Sequence, residues 1–298
     1  AQETFLGGRL ALDRSLAAKA IEEHVAGPLG LPAEEAALAI NALASARIAE
    51  GMRANTVRRG LDPREFTIFS FGGAGGLHAA AVAQELEIPR AIVPREASVL
   101  SALGFLAADV RHDYQRVIGK SLLDLNTEDV RLPFSEMEAV AVAALGDEGF
   151  TSEEVRFTRI LDCRYLRQVY TIPVEVSGAN LSKDGDAIWM VEAFEKVYSA
   201  LYRHVHERNA IVIDSVRLVA YGILPSLSLP KEETGGNDPV SAQRGTRQTY
   251  QGTMIDTPCY WFDDLKPGMR LTGPALVDSE STTIALPEQY GAIIDPYG

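Results

Sequence analysis

The stretch FSFGGAGGLHAAAVAQEL, which runs from Phe69 to Leu86, says most about how this chain folds. Its first residues end a β-branched and aromatic run, FTIFSF, which predicts a short buried strand. Its last residues are rich in alanine and predict a helix that ends near Glu87. Between them lie four glycines: Gly72, Gly73, Gly75 and Gly76. The sequence therefore predicts a strand, a tight turn and a helix in direct succession.

Glycines between a strand and a helix remove Cβ atoms at the place where the first N–H groups of the helix face outward. Such a turn is a candidate site for an anion or a nucleotide. Alternatively, the glycines serve only to let the turn pack closely. His78 is open to the same two interpretations, because a side chain in the first helical turn can reach a ligand or can pack and cap the helix start. Gly76 lies nearer the helix interior, where alanine is expected to be tolerated.

Two common nucleotide motifs fit the turn poorly. A dinucleotide fingerprint would combine Gly73 and Gly75 with Glu96 as the acidic residue. However, His78 replaces its third glycine, and Pro94 interrupts the strand that should present the acid. A phosphate loop would need Gly-Lys-Ser/Thr at the end of the turn, which this sequence lacks. A further interpretation is the glycine turn with which actin-like ATPases hold the adenosine end of ATP.

The composition is that of an acidic globular protein: 46% of its 298 residues are apolar, the formal charge is −13, and the pI is near 4.9. This charge repels nucleic acid and anionic membranes, so neither is expected as the main partner. No apolar run approaches the roughly 20 residues of a membrane-spanning helix, and no signal peptide is visible. The two cysteines, Cys163 and Cys259, lie far apart, which suits reduced thiols. We therefore predict a cytoplasmic protein.

The alternation of strands and helices around the glycines predicts a parallel or mixed sheet with helical layers. Helices are expected over residues 15–25 and from Pro32 toward Val57. After the turn, RAIVP predicts a second strand and SVLSALGFLAAD a short helix. Residues 119–133 then look like a polar linker that leads to a helix near residues 134–145.

The rest of the chain predicts an α+β unit and a β-rich end. EEVRFTRILDCRYLRQVYTIPVEV predicts two strands joined near residues 165–168. A long helix near residues 187–206 and the strand SVRLVAYGIL complete this unit. Residues 230–248 have the proline, glycine and charge content of an exposed loop, and short strands are expected from Thr249 onward.

Several residues that carry chemistry in other proteins are expected to be structural here. A nucleophilic Cys163 would need a base and a cationic pocket, which the sequence alone does not show, so a buried thiol is expected instead. His204 and His206 lie two positions apart on a helix and point to different faces, so they cannot share a metal ion. His112 and Asp113 follow a strand and are expected at the surface. No metal site and no serine-hydrolase elbow are predicted.

Segments along nearly the whole chain resemble the hydantoinase A/5-oxoprolinase family, which also includes the β-type subunit of acetone carboxylase. The segments are FLGGRLALD, FSFGGAGGLHAAAVAQELEIPRAIVP, VLSALGFLAADVRHDY, CRYLRQVYTIPVEV and LTGPALVDSESTTIALPEQYGAIID. Three places depart from the family pattern. The histidine stands in GGLH, where members often carry Pro or Gln beside it, and Ser98 and Arg167 replace usual glycines.

The resemblance implies an α/β fold made of three parts. Residues 1–118 would be a helical segment and part of the second lobe of an actin-like (ribonuclease H-like) ATPase domain, including the glycine-rich adenosine turn. Residues 119–245 would form an α+β domain, and residues 246–298 a β-rich C-terminal segment.

The resemblance also implies an ATP-dependent enzyme, or a subunit of one, that phosphorylates a lactam, imide or ketone oxygen for ring opening or carboxylation. The residues expected to hold the nucleotide are Gly72, Gly73, Ala74, Gly75 and His78; catalytic residues are unassigned. The family's phosphate-binding DxGGT segment is absent from this sequence. The chain is therefore expected to be the C-terminal portion of a member, inactive alone, with the Mg²⁺ ligands mainly outside it.

The expected partners are a small cyclic amide or imide and a second subunit of hydantoinase B type, or further copies of the chain. Two alternatives are kept beside the cyclic amidohydrolase: an acetone carboxylase-type subunit, and a non-catalytic assembly module in which the glycine turn is structural.

Overall fold

The computed structural model describes residues 4–5, 8–182, 188–203 and 210–298. The chain forms two compact units. One consists of Ala1–Leu106 with Ser228–Gly298, and the other of Ala107–Leu227. The division into three parts, with boundaries after residues 118 and 245, stays a prediction. Among the described helices, none combines the length and the apolar character needed to cross a membrane.

The N-terminal part of the first unit is a short antiparallel strand pair followed by helices: β1 (Thr4–Phe5), β2 (Leu10–Ala11), α1 (Arg14–Ile21), α2 (Gly27–Leu29) and α3 (Ala33–Asn55). A π-helical turn joins α1 to α2. Asp13 caps α1 by accepting hydrogen bonds from the N–H groups of Ser15 and Leu16. Gly30, with φ of 66°, ends α2. Both predicted helices and the break between them are confirmed.

The central part of this unit contains the glycines, and its elements are β3 (Ile68–Phe69), α4 (Gly75–Glu85), β4 (Ala91–Ile92) and α5 (Leu100–Ala107). The predicted order of strand, turn and helix is confirmed, and β3 pairs with β4 in parallel. A small core packs α3 and α4 against β3: Ala49, Ile68, Val82, Ala83, Leu86 and Ile88. The strand is less buried than predicted. Phe69 and Phe71 are 52% and 57% exposed, because β3 has β4 as its one partner strand within the described residues.

The second unit is an antiparallel sheet with helices against it. Its elements are β5 (Val110–Ser121), α6 (Thr127–Asp147), β6 (Val155–Tyr165), β7 (Ile172–Val176), α7 (Gly178–Leu181), α8 (Ile188–Tyr202) and β8 (Ile211–Gly222). The strand order is β5-β8-β6-β7. Tyr165 packs edge-on against Phe194 and Tyr198, with ring centroids 5.0 and 4.9 Å away. The α+β unit predicted from the sequence is confirmed; the predicted last turn of α8 lies outside the described residues.

The predicted linker over residues 119–133 is wrong. Strand β5 extends to Ser121, and helix α6 begins at Thr127. Asn126 and Asp129 form a capping box in which each side chain accepts a hydrogen bond from the other residue's backbone N–H, at 3.0 and 2.9 Å. This cap starts the helix in spite of its polar composition and of Pro133, which lies inside it.

The C-terminal part of the first unit is β-rich, as predicted. Its strands are β9 (Gln243–Tyr250), β10 (Met254–Trp261), β11 (Arg270–Thr272), β12 (Ala275–Asp278), β13 (Thr283–Leu286) and β14 (Gly291–Ile293). They form a sheet of order β13-β12-β10-β9, in which β10 and β12 are parallel, and the pair β11-β14. The predicted mixed α/β architecture with parallel pairing is therefore confirmed.

The exposed loop predicted over residues 230–248 is partly wrong. Its second half forms β9, and its first half is held in place. Glu232 pairs with Arg95 at 2.7 Å, and the Gly235 N–H donates to the Pro267 carbonyl at 2.9 Å. These partners are distant in sequence, so the local composition gave no sign of them.

Candidate functional site

The glycine turn, defined here as Ser70–Ala74, leaves β3 and leads directly into α4. Its backbone is fixed at both ends. The Ser70 N–H donates to the Ile92 carbonyl at 2.8 Å, and the Gly72 N–H donates to the Ala97 carbonyl at 2.6 Å. The Gly75 N–H then donates to the Gly72 carbonyl at 3.0 Å, which starts the helix. The turn is thus a rigid connection.

The glycines are required for different reasons. Gly72 has a φ of +90°, which residues with a Cβ rarely adopt, and the space around it is open. A Cβ at Gly75 would lie 2.7 Å from the Ser70 hydroxyl. A Cβ at Gly73 would lie 3.1 Å from the Ser281 carbonyl oxygen. Internal packing therefore accounts for part of the glycine pattern.

Gly76 corrects one sequence-based expectation. A Cβ there would lie 2.9 Å from Cγ1 of Ile284 and 3.0 Å from the carbonyl oxygen of Thr283. Alanine is therefore not tolerated without movement of β13, although the position is helical.

The segment Ser279–Thr282, which we call the SEST loop, covers one side of the glycine turn. The Thr282 hydroxyl donates to the Gly73 carbonyl oxygen at 2.8 Å. The hydroxyls of Ser98 and Ser281 hydrogen-bond to each other. The loop joins β12 to β13 and is flanked by Asp278, which pairs with Arg247. Sequence reasoning missed this contact, since 209 residues separate Gly73 from Thr282.

An apolar cavity of about 290 Å³ lies between α3, β3 and α4. Its apolar walls include Ile48, Met52 and Val82, and Ser70 and His78 contribute polar atoms. This volume is close to the lower end of the range for small-molecule sites, about 300–1,000 Å³. The cavity adjoins the glycine turn because Ser70, Phe71 and Gly75 line it as well.

His78 lies in the first turn of α4, as predicted, and its partner is on α3. Its Nδ1 lies 3.0 Å from the Ser45 hydroxyl, which also donates to the Asn41 carbonyl at 3.1 Å. His78 therefore ties two helices together while its ring lines the cavity. The structure brings all five predicted nucleotide-binding residues into one place, and Gly73 and Ala74 are exposed there.

The other candidate residues lie elsewhere. Cys163 is completely buried in β6, and this burial, with the nearby Asp162 and Asp214, raises the pKa of its thiol to about 12. The prediction of a buried thiol is confirmed. His112 and Asp113 lie within β5, not after a strand, and His112 contacts Glu148 at 3.1 Å.

His204 and His206 lie outside the described residues. Within the described ranges, no group of three His, Cys, Asp or Glu side chains is placed to hold a metal ion.

Comparison with known proteins identifies the family. The hydantoinase/oxoprolinase family model matches residues 1–114, and the model of the hydantoinase/oxoprolinase C-terminal domain matches residues 124–298. An uncharacterized protein of Methanocaldococcus jannaschii is 32% identical over 99% of the chain and 42% of its own length.

Caprolactamase and acetone carboxylase are among the relatives with named activities. Caprolactamase subunit alpha of Pseudomonas jessenii is 27% identical over 99% of the chain and 43% of its own length. The crystal structure of this ATP-dependent caprolactamase superposes with a TM-score of 0.74 at 26% identity, over 100% of this chain and 44% of that one. A nucleotide-free structure of acetone carboxylase, described as catalysing ATP-dependent acetone carboxylation, superposes with a TM-score of 0.84 at 26% identity and the same coverage.

This chain thus spans less than half the length of the relatives it matches. The two family models together cover all of its residues except 115–123, which lie between α5 and α6. The chain belongs to the hydantoinase/oxoprolinase family.

Proposed function

We propose that this chain is part of an ATP-dependent enzyme that opens a cyclic amide or imide, and that its glycine turn binds the adenosine end of ATP. The observation that carries the proposal is the exposure of Gly73 and Ala74 at the start of α4, beside an open Gly72. Both solved relatives are described as ATP-dependent, which supports the same ligand.

The described residues suit this role. The open space at Gly72 leaves room for a ligand against the backbone, and N–H groups at a helix start donate to acceptor atoms. The neighbouring cavity has mostly apolar walls, which suit a flat heterocyclic base, and His78 and Ser70 supply polar contacts. Gly72, Gly73, Ala74, Gly75 and His78 would together hold the nucleotide.

ATP supplies the activation that an amide needs. An unstrained amide carbon is a poor electrophile, and transfer of a phosphoryl group to its oxygen turns that oxygen into a leaving group. Since the described residues contain no cluster of metal ligands, the proposal assigns the Mg²⁺ ligands and the phosphate-facing half of the site to polypeptide outside this chain.

We further propose that the enzyme works in the cytoplasm with a second subunit. The relatives named caprolactamase subunit alpha, acetophenone carboxylase gamma subunit and acetone carboxylase beta subunit are all subunits of larger enzymes. A partner of hydantoinase B type is the expected one, and a homo-oligomer is the alternative.

A second candidate function is that of an acetone carboxylase-type subunit, with a small ketone as substrate. It is favoured by one observation: the chain superposes better on acetone carboxylase, with a TM-score of 0.84, than on caprolactamase, with 0.74. An assay of the purified enzyme with ATP and bicarbonate distinguishes the two candidate functions. Consumption of ATP with a lactam supports the first function, and consumption with a ketone supports the second.

The glycine turn is tested with Ala74→Glu in the full-length protein. A carboxylate at a helix start favours the helix, so the melting temperature should stay the same or rise. If the turn binds the adenosine end of ATP, the longer side chain crowds the ligand, and calorimetry should show a Kd raised at least tenfold, which weakens the binding free energy by at least about 1.4 kcal/mol. Ala39→Glu, on an exposed position of α3, is the matched control. Unchanged ATP affinity in Ala74→Glu would support the structural role of the turn instead.

A further inference from the structure

Thr282 makes a contact that links the C-terminal strands to the proposed nucleotide site. Its hydroxyl donates to the Gly73 carbonyl oxygen at 2.8 Å, and the residue is 1% exposed. A hydroxyl this deeply buried needs a partner, and the backbone oxygen of the glycine turn provides it.

The SEST loop holds Thr282 firmly. The Thr282 N–H donates to the Ser279 hydroxyl at 3.0 Å, and the Ser279 N–H donates to the Thr282 carbonyl at 2.9 Å. Ser279 is itself buried. The position of the Thr282 hydroxyl is therefore set by the loop and not by the glycine turn.

The Gly73–Ala74 peptide relates the position of the Thr282 hydroxyl to the direction of the Ala74 N–H. The bond is trans, so its C=O and N–H groups point in opposite directions. Because the Gly73 oxygen points toward Thr282, the Ala74 N–H points away from the SEST loop. Ala74 is the N-cap residue of α4 and is exposed.

From this geometry we infer that Thr282 is a positioning residue for nucleotide binding: it fixes the Gly73–Ala74 peptide so that the Ala74 N–H can donate to an acceptor atom of the nucleotide. This inference rests on the proposed function. It assigns a role at the nucleotide site to a residue that lies 209 positions along the chain from the turn.

The test is ATP binding by Thr282→Val and Thr282→Ser in the full-length protein. Valine keeps the shape but loses the hydroxyl, so the Gly73–Ala74 peptide loses one restraint on its orientation, and the Kd for ATP should rise about tenfold, the loss expected for one well-placed hydrogen bond. Serine keeps the hydroxyl and should bind ATP within about twofold of the wild type. In steady-state assays Thr282→Val should raise the KM for ATP and leave kcat nearly unchanged.

Thr283→Val is the matched control, because the Thr283 hydroxyl bonds to Asp278 at 2.9 Å and not to the turn. It should lower the melting temperature without changing the Kd. If Thr282→Val does not fold, Ser279→Ala, which removes a partner of the Thr282 backbone, should raise the Kd in the same direction. Equal Kd values for wild type, Thr282→Val and Ser279→Ala would overturn the role of Thr282 but not the proposed function. A wild type that binds no ATP would overturn the inference and the proposed function together.

Discussion

At the residue scale, Gly76 lies against the C-terminal strands with no room for a side chain. The nearest atoms to an added Cβ would belong to the side chain of Ile284 and to the backbone oxygen of Thr283, which cannot rotate away. Gly51, by contrast, is a helical glycine of α3 in the same unit with open space around it. The two positions therefore separate helix propensity from packing.

We expect Gly76→Ala to lower the free energy of unfolding by roughly 1–3 kcal/mol, because the added methyl overpacks the contact with β13. Gly51→Ala should raise it by up to about 1 kcal/mol, since only helix propensity changes there. Urea denaturation of both variants measures the difference. Stabilisation of similar size by both substitutions would show that the contact of α4 with β13 is not formed in solution.

The same residues show which part of the site was predictable. The need for glycines between a strand and a helix follows from local geometry, and their placement at an exposed helix start was predicted. The atoms that each glycine contacts were not predicted, because Ser281 and Ile284 come from the opposite end of the chain. His78 was placed correctly, but its contact with Ser45 depends on the packing of α3 against α4.

At the element scale, the start of helix α6 was mistaken for a linker because its residues are polar. Its first turn is polar and Pro133 follows in the second turn, so hydropathy favours a linker. The capping box formed by Asn126 and Asp129 marks the true start. In strand β7 buried and exposed residues alternate regularly, whereas β6 and β8 are mostly buried or half-buried runs, and all three strands were predicted.

Asn126→Ala should therefore destabilise the second unit by about 1 kcal/mol, because the N–H of Asp129 loses its acceptor. Asn126→Ser retains an acceptor and should remain within a few tenths of a kcal/mol of the wild type. Thermal melting of the two variants is the measurement. A helix start set by tertiary packing alone would make both variants melt like the wild type.

At the scale of the whole molecule, the chain corresponds to less than half the length of its relatives. It covers 42–44% of the Methanocaldococcus jannaschii, caprolactamase and acetone carboxylase chains, and its described residues offer no cluster of metal ligands. Its first unit is built from two segments, Ala1–Leu106 and Ser228–Gly298, with the second unit between them in sequence. The glycine turn belongs to the first segment, and the SEST loop that fixes it belongs to the second.

We expect the isolated 298-residue chain to hydrolyse no ATP above background, because the residues that activate the phosphates are proposed to lie elsewhere. A phosphate-release assay on the purified chain measures this. A DxGGT segment encoded about two hundred residues or more upstream of Ala1 would agree with it, on the size of an ATPase core with two lobes. Steady turnover by the chain alone, lost in Ala74→Glu, would contradict it.

The bond from Thr282 to Gly73 also sets an order of events on the ribosome. The glycine turn is made before the loop that contacts it, because Thr282 lies 209 positions after Gly73 in the chain. Contacts of such long range form late in folding, after the chain between them has found its place. Nascent chains that stop before Asp278 should therefore carry a glycine turn that lacks the restraint from Thr282.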